Sequence, residues 1–303
     1  MIFDSIFLDG IATVLALAFL IGSSEVVVDK LILLANAFGV SRTFMGLTVM
    51  SLATSLPEIG SHLVASFGIL SGNLDYRVAS ATVLGATIGS DVVQQTFVLG
   101  LVVLIMGEVV FKREFLLNAY LPMICSTLMC IVLGWDGTYS RIDGMILFGA
   151  FLAYTWFLYR NEVVNHVLDI SSASSQRVGR DILTMISGMT ILLLSAYVML
   201  RQLEGIVEVT GLGGSFLGVI TLGLASAAPE MLTAVQGIRK KATGISLGTL
   251  IGSNIVNPLV AIGLGAMVST YWVPRALVLW DLPMETVTAA MLLVYLLLNK
   301  RRL

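Results

Sequence analysis

Two similar stretches of sequence decide how this chain folds: Gly46 to Glu58 reads GLTVMSLATSLPE, and Gly218 to Glu230 reads GVITLGLASAAPE. They align without a gap, and each ends in Pro-Glu inside a run of apolar residues. An acidic residue at the centre of a membrane-spanning helix costs about 3 kcal/mol, so such residues usually face a cavity, an ion path or a partner. The two glutamates therefore predict a site within a membrane.

The composition is that of a helical membrane protein. Of 303 residues, 57% are hydrophobic and only 12% are charged, whereas soluble domains carry roughly 25% charged residues. Apolar runs of about 20 residues recur, and each is long enough to cross a hydrocarbon layer of about 30 Å. These runs do not alternate in the way that strands of a membrane β-barrel do. We therefore predict an all-α polytopic membrane protein.

Several function classes find no support in the sequence. The formal charge is −2, and no basic face with interleaved aromatic residues suggests a nucleic-acid partner. Cys125 and Cys130 are interpreted as small packing residues, and His62 and His166 are too few and too far apart for a zinc or copper cluster. No zinc-protease motif and no nucleophile with its base is present, so we expect neither an enzyme nor a bound cofactor.

Charged residues and Gly, Pro or Asn breaks divide the chain into nine predicted spans. The spans cover residues 10–37, 43–70, 78–106, 115–134, 142–160, 182–201, 213–238, 244–268 and 276–298. The most polar connection, 161–181, separates five spans from four. We predict a first repeat over 1–160, a cytoplasmic linker over 161–181 and a second repeat over 182–303.

The basic residues predict the orientation. Loops assigned to one side carry twelve of them: Arg42, Lys112, Arg113, Arg160, Arg177, Arg180, Arg239, Lys240, Lys241, Lys300, Arg301 and Arg302. The other side carries four: Arg77, Arg141, Arg201 and Arg275. Because cytoplasmic loops carry the excess of Lys and Arg, we expect the N-terminus outside and the C-terminus inside.

The similarity between the halves extends beyond the two Pro-Glu stretches. Gly85 to Leu101 matches Gly248 to Leu264 after a connection nine residues shorter in the second copy, and Pro122-Met123 corresponds to Pro283-Met284. Five spans in the first half turn the second copy upside down in the membrane. Inverted repeats with interrupted helices are typical of secondary transporters with a site at the midplane. A complete duplication gives ten helices, but the second half shows no counterpart to the fifth span, so we expect nine.

The residues around each glutamate suit a hard cation. Pro57 and Pro229 should kink or break their helices beside Glu58 and Glu230 and free backbone carbonyls. Ca²⁺ prefers six to eight oxygen ligands, from carboxylates, carbonyls, hydroxyls and amides. Thr54 lies four residues before Glu58, and Ser226 lies four before Glu230. Helical geometry places each pair on one face.

The partner helices carry polar residues at the same spacing, Ser90 with Gln94 and Ser253 with Asn257. Glycines at 85, 89, 248 and 252 form small-residue faces that allow close helix contact. A second interpretation of Ser55 and Glu58 is a capping box at a helix start. Ala227 occupies the corresponding position before Glu230 and has no side chain that caps a helix, which argues against the capping-box interpretation.

These paired motifs, Pro-Glu followed by Gly-Ser and a later amide, resemble the two alpha repeats of the cation/calcium antiporter superfamily, especially its sodium/calcium exchanger branch. The alpha repeats here cover 43–106 and 213–268. The resemblance implies an inverted-repeat antiporter fold in which both glutamates bind Ca²⁺. The ligand positions that it implies are Glu58, Glu230, Thr54, Ser55, Ser226, Ser90, Ser253, Asn257 and Gln94, with backbone carbonyls near Ser51 and Gly223 and with Asp91 beside them.

Three residues depart from the family pattern. Ala227 stands where Ser is usual, Gln94 stands where Asn is usual, and Asp91 replaces the Asn that normally follows Gly-Ser. These changes leave the number of Na⁺ sites and the coupling ratio open.

Two further groups have alternative interpretations. Glu25 and Asp29 could attract incoming cations, or the adjacent Lys30 could partly neutralise them near a helix end. His62, one turn after Glu58, is interpreted as a packed or interfacial residue, with coupling of the site to pH as the alternative.

We therefore predict a secondary antiporter in a prokaryotic-type inner membrane that exchanges Ca²⁺ for Na⁺ by alternating access at a midplane carboxylate site. Ca²⁺ and Na⁺ are its transported ions, membrane lipids surround it, and its oligomeric state is left open. A Ca²⁺/H⁺ antiporter using the same glutamates and a non-transporting scaffold or sensor are the alternatives.

Overall fold

The structure is a computed structural model and describes residues 2–107, 109–166, 175–210, 226–300 and 303. Within these residues, seven helical stretches are long and apolar enough to cross a membrane. They are Gly10–Phe38, Tyr76–Met106, Arg113–Leu133, Arg141–Asn161, Val178–Val198, Thr243–Val268 and Leu277–Leu298. The predicted helical membrane architecture is confirmed, while the count of nine and the orientation stay predictions.

The secondary-structure elements of the described residues have the following bounds. The α-helices are α1 (Ile2–Phe38), α2 (Arg42–Met45), α3 (Ser51–Thr54), α4 (Leu56–Leu70), α5 (Tyr76–Val93), α6 (Leu99–Met106), α7 (Arg113–Phe115), α8 (Leu121–Leu133), α9 (Arg141–His166), α10 (Ser175–Thr210), α11 (Ala228–Arg239), α12 (Thr243–Val256), α13 (Gly263–Val268) and α14 (Leu282–Leu298). Five π-helical segments lie within the described ranges: Gly46–Met50, Gln94–Val98, Leu116–Tyr120, Asn257–Ile262 and Leu277–Asp281. Two short strands complete the list: β1 (Thr138–Tyr139) and β2 (Tyr271–Trp272).

The π-helical segments repeat with the sequence. Gln94–Val98 and Asn257–Ile262 begin at positions that the alignment pairs, and so do Leu116–Tyr120 and Leu277–Asp281. Such widened turns are rare and often occur at functional sites. Their recurrence shows that the two halves share backbone detail as well as sequence.

The structure also locates the nine-residue difference between the copies. Helix α4 has 15 residues and α11 has 12, which accounts for three. The connection after α4 covers 71–75 and that after α11 covers 240–242, which accounts for two. The remaining four come from the start of the next helix, since Gly85 is the tenth residue of α5 and Gly248 the sixth of α12. The difference is therefore spread over two helix ends and a loop.

Three connections meet at one end of the molecule. Strand β1 pairs antiparallel with β2, with Thr138 opposite Trp272. The backbone N–H of Trp272 donates to Ser80 Oγ at 3.2 Å, and the Arg77 guanidinium lies over the Trp272 ring at 5.5 Å from its centroid. The start of α5 and the loops at 134–140 and 269–276 therefore share this end.

Ion pairs join α1 to α10 and to the loop after α11. Lys240 contacts Asp29 at 2.6 Å and Glu25 at 3.3 Å, and Lys30 contacts Asp181 at 2.7 Å. The interpretation that Lys30 neutralises Glu25 and Asp29 is wrong, because Lys240 from the second repeat takes that role. These contacts hold α1 against α10 and against the loop after α11.

Helix α12, which belongs to the second alpha repeat, lies at the core of the molecule. Every residue of α12 from Ile245 to Val256 is buried. A Cβ added at Gly248 would lie 2.9 Å from Thr43 O, and one at Gly252 would lie 2.7 Å from Ser51 Cβ. The small-residue face predicted for α12 is confirmed. A Cβ added at the corresponding Gly85 or Gly89 would meet nothing within 4 Å among the described residues. The counterparts of the residues that contact Gly248 and Gly252 fall within 215–223, outside those residues.

Candidate functional site

Each glutamate follows a break in its helix. Helix α3 ends at Thr54 and α4 begins at Leu56, with Ser55 between them at φ −82° and ψ 3°. Ala227 precedes α11 with φ −84° and ψ 4°. A proline lies in the first turn after each break, where its missing N–H has no helical acceptor to lose. The breaks predicted beside the two prolines are confirmed.

Ser55 does not cap the helix that follows it. Its side chain makes no capping hydrogen bond, and its buried Oγ has no hydrogen-bond partner. The capping-box interpretation is wrong. A buried hydroxyl without a partner is costly, by roughly 1–3 kcal/mol, so this oxygen is available for a ligand.

The two glutamates are buried with free oxygens. Glu58 is 8% exposed and Glu230 is fully buried, and their carboxylates interact electrostatically. Among the described residues, Glu58 Oε2 and both Glu230 oxygens lack a well-formed hydrogen bond, and the Thr54 hydroxyl is near enough to the Glu230 carboxylate to interact with it. An ionised carboxylate in a low-dielectric interior is stable only when a cation pairs with it, and otherwise it takes up a proton. The pair is therefore arranged to hold positive charge.

Hydroxyl groups lie next to the carboxylates. Thr54 Oγ1 and Ser253 Oγ lie 3.3 Å apart, which joins the first repeat to the second. Thr54 also donates to Met50 O at 3.2 Å, and Ser253 donates to Thr249 O at 2.9 Å. When each hydroxyl donates to its carbonyl, its oxygen lone pairs remain available to a cation.

A layer of acid and amide groups lies beside the hydroxyls. Asn257 Nδ2 donates to Asp91 Oδ1 at 2.6 Å, and Asn254 Nδ2 donates to Gln94 Oε1 at 3.1 Å. The alignment pairs Asp91 with Asn254 and Gln94 with Asn257, so the two bonds are equivalent under the repeat. Asp91 Oδ2 and Asn257 Oδ1 are buried without partners.

The remaining predicted ligands are placed as follows. Ser90 Oγ is buried and accepts from Gln94 Nε2 at 3.2 Å. Ser51 Oγ donates to Leu47 O at 2.7 Å. Ser226 is half-buried beside the second break. Gly223 lies outside the described residues.

His62 does not belong to the cluster. Its Nε2 lies 2.9 Å from Thr87 Oγ1 and its Nδ1 lies 3.2 Å from Tyr271 OH, and the ring is fully buried. The interpretation of His62 as a packed residue is confirmed. Its hydrogen bonds hold α4 against α5 and β2.

A cavity of about 190 Å³ borders Glu58. Pro57, Ser61, Thr87, Ser226 and Pro229 are among its lining residues. Within the described part of the chain, no three acidic, histidine or cysteine side chains lie close enough to hold a metal together. A cation here would therefore also need hydroxyl, amide or carbonyl oxygens.

Comparison with known proteins identifies the family. The family described as sodium/calcium exchanger protein matches residues 10–160 and 181–302, which is most of the chain. This chain belongs to the sodium/calcium exchanger protein family. The resemblance seen in the two alpha repeats is confirmed.

Individual relatives and a solved structure also match this exchanger-family chain. It is 27% identical to inner membrane protein YrbG of Escherichia coli K12 over 271 residues, covering 84% of this chain and 78% of YrbG. It is 20% identical to sodium/calcium exchanger MaX1 of Methanosarcina acetivorans, covering 93% and 89% of the two chains. A solved structure of the sodium-calcium exchanger NCX_Mj superposes with a TM-score of 0.81 at 23% identity, covering 98% of this chain and 93% of that one. The fold is therefore that of NCX_Mj.

The sequence reasoning missed one part of this exchanger-family chain. Glu285 is 2% exposed, and its Oε1 accepts from Gln95 Nε2 at 2.8 Å and from Thr127 Oγ1 at 3.1 Å. An available signal was the acid itself, which follows Pro283-Met284 inside an apolar span.

Proposed function

We propose that this chain is a secondary active antiporter that exchanges Ca²⁺ for Na⁺ at the cluster of Glu58 and Glu230. The observation that carries the proposal is the pair of buried carboxylates, one from each repeat, with three oxygens that lack a hydrogen-bond partner. Membership in the exchanger family supports cation antiport, and the local chemistry supports the choice of ions.

The charge of the cluster suits a divalent ion. Glu58 and Glu230 supply two negative charges, and Thr54, Ser55 and Ser253 supply neutral oxygens around them. Ca²⁺ accepts such a mixed oxygen set at about 2.3–2.6 Å. Na⁺ ions neutralise the same carboxylates when Ca²⁺ leaves, so the two ions compete.

Exchange rather than leak follows from the same electrostatics. Two carboxylates in a low dielectric repel strongly when neither cations nor protons compensate them. An empty charged site therefore resists the passage between the two orientations. Alternating access would then expose the occupied cluster to each side of the membrane in turn.

The experiment that tests the proposal uses purified protein in vesicles with a Ca²⁺ dye inside. We expect an imposed Na⁺ gradient to drive Ca²⁺ uptake or release and Glu58→Gln to abolish it. Ca²⁺ flux that persists in Glu58→Gln at the wild-type rate would contradict the site.

A Ca²⁺/H⁺ antiporter is the second candidate. The observation that favours it is Glu230, which is fully buried with both carboxylate oxygens unpartnered, an environment that also suits a protonated acid. A pH gradient imposed on the same vesicles separates the candidates, because only the second predicts Ca²⁺ movement without Na⁺. Family membership argues against the third interpretation, a non-transporting scaffold.

A further inference from the structure

A second buried carboxylate centre lies outside the Glu58–Glu230 cluster. Glu285 belongs to α14, on a helical stretch long and apolar enough to span a membrane. Its Oε1 accepts two hydrogen bonds, from Gln95 and Thr127, and its Oε2 has no partner although it is buried. A carboxylate in this state offers one oxygen to a ligand.

Gln95 offers a second oxygen at the same place. Its Nε2 donates to Glu285 Oε1 and to Asn254 Oδ1, both at 2.8 Å. Both amide protons are thereby used, and Gln95 Oε1 is left buried without a partner. Two hydrogen-bonded side chains therefore present two acceptors and no remaining donor, which is a cation-binding arrangement rather than a closed hydrogen-bond network.

This centre touches the central cluster without sharing its carboxylates. Asn254 connects the two, since it accepts from Gln95 and donates to Gln94. The residues that contact Glu285, namely Gln95 and Thr127, are not among the ligand positions implied by the family resemblance. A ligand at Glu285 would be bound next to the exchanged ion and not in its place.

No described basic side chain neutralises Glu285. The ion pairs in the described residues involve Lys30 and Lys240, which lie at the end of the molecule. Three titratable groups face Glu285: Asp91 from α5, and Cys130 and Tyr120 from the α8 side. Asp91 and Cys130 interact with Glu285 electrostatically. Tyr120 donates to Ala289 O, one turn along α14. All three are neutral or negative. A lone buried carboxylate in this setting needs one positive charge.

We propose that Glu285 and Gln95 form an auxiliary site that binds one Na⁺ beside the central cluster. Glu285 contributes one negative charge to this site, which matches a monovalent ion. Thr127 holds the carboxylate in place by donating to Oε1, and Asn254 couples occupancy of this site to the amide layer that faces the exchanged ion. This site goes beyond the exchange proposed above and does not depend on which ion the central cluster carries.

The test compares purified wild type with Glu285→Gln and with the control Glu114→Gln, which alters an exposed acid. Two quantities are measured on each sample: ²²Na⁺ bound at saturation and ⁴⁵Ca²⁺ bound at saturation. We expect Glu285→Gln to bind one Na⁺ fewer per chain than wild type, and Glu114→Gln to bind the wild-type number. The amount of Ca²⁺ bound should match wild type.

Either of two results would overturn the proposal: an unchanged number of bound Na⁺ in Glu285→Gln, or loss of Ca²⁺ binding together with Na⁺. Wild-type Ca²⁺ binding in the same samples reports separately on the central cluster. A second variant, Gln95→Leu, keeps the carboxylate and removes the other oxygen. We expect it to weaken binding of the counted ion about tenfold, equivalent to roughly 1.4 kcal/mol, and an unchanged affinity would also overturn the site.

Discussion

The two helix breaks share a backbone and differ in side chain. Ser55 and Ala227 adopt nearly the same dihedral angles, φ −82° and ψ 3° against φ −84° and ψ 4°. Only Ser55 carries a hydroxyl, and that hydroxyl caps nothing. Side-chain capping therefore does not cause the break. The feature that both copies share is the Pro-Glu pair that follows it. The two copies provide the same frame with unequal ligands, since Glu58 borders a cavity and Glu230 is fully buried.

The largest expected effect comes from removing either glutamate's charge. Glu58→Gln and Glu230→Gln should each lower Ca²⁺-dependent transport by more than about 100-fold, because one carboxylate leaves a divalent ion uncompensated in a low dielectric. Initial rates in vesicles measure this, with the exposed Glu114→Gln as the matched control. If only one of the two variants lost transport, the two copies would not form a common site.

A charge swap tests whether the acid and amide layer needs its negative charge at Asp91 or accepts it at the hydrogen-bonded partner Asn257. Asp91→Asn should weaken Ca²⁺ binding about tenfold, since it removes the negative charge that Asn257 contacts at 2.6 Å. Asn257→Asp in that background returns the charge from the other repeat and should recover most of the affinity. Isothermal titration of both variants measures the change. Failure of the double variant to improve on Asp91→Asn would show that the position of this charge matters more than its presence.

A smaller effect is expected at the breaks themselves. Ser55→Ala removes one candidate oxygen and should weaken Ca²⁺ binding a few-fold, in line with about 1 kcal/mol for a single polar contact. Ala227→Ser adds an oxygen at the equivalent place in the second repeat. We expect the second variant to bind Ca²⁺ at least as tightly as wild type. Equal affinities for all three proteins would remove both positions from the ligand set.

The smallest expected effects concern two contacts: the Lys240 ion pairs, and the Arg77 guanidinium over the Trp272 ring. Burial alone would lower the pKa of Lys240, but hydrogen bonds to Asp29 and Glu25 and their charges outweigh it, so the pKa is raised above its ordinary value of 10.5. The stability that these ion pairs contribute is therefore fully present below pH 10.5, and it is lost as the pH rises through the raised pKa of Lys240. Exposed pairs of this kind contribute about 1 kcal/mol or less.

The contact between Arg77 and Trp272 is the comparison for Lys240, because arginine keeps its charge at any accessible pH. Thermal unfolding of Lys240→Ala in detergent should show a small loss of stability at pH 7 and none well above the raised pKa. Arg77→Ala should show the same loss at both pH values. A pH-independent loss in Lys240→Ala would contradict the ion-pair account.

The sequence predicts the features that repetition makes visible. The two breaks, the buried glutamates and the polar residues of the partner helices occur twice, so each copy supports the other. The structure adds that Asp91 bonds to Asn257 and Gln94 to Asn254. Spacing along a helix cannot predict this crossing, because it depends on how two helices from different repeats meet.

Comparison of the two repeats cannot predict features that occur in only one of them. Glu285 corresponds to Ile124 in the first repeat, so comparison of the halves gives no signal for it. Lys240 was assigned to a loop, but its pairing with Asp29 depends on where α1 lies relative to a loop 211 residues later in the chain. Long-range contacts of this kind are set by packing and not by local pattern.

Diffraction from crystals soaked in Ca²⁺ or Sr²⁺ tests the central claim most directly. We predict one strong anomalous peak between the two repeats, with carboxylate oxygens of both Glu58 and Glu230 at about 2.3–2.6 Å from it for Ca²⁺. A peak bound by only one of these glutamates, or the two side chains directed apart with no ion between them, would contradict the account.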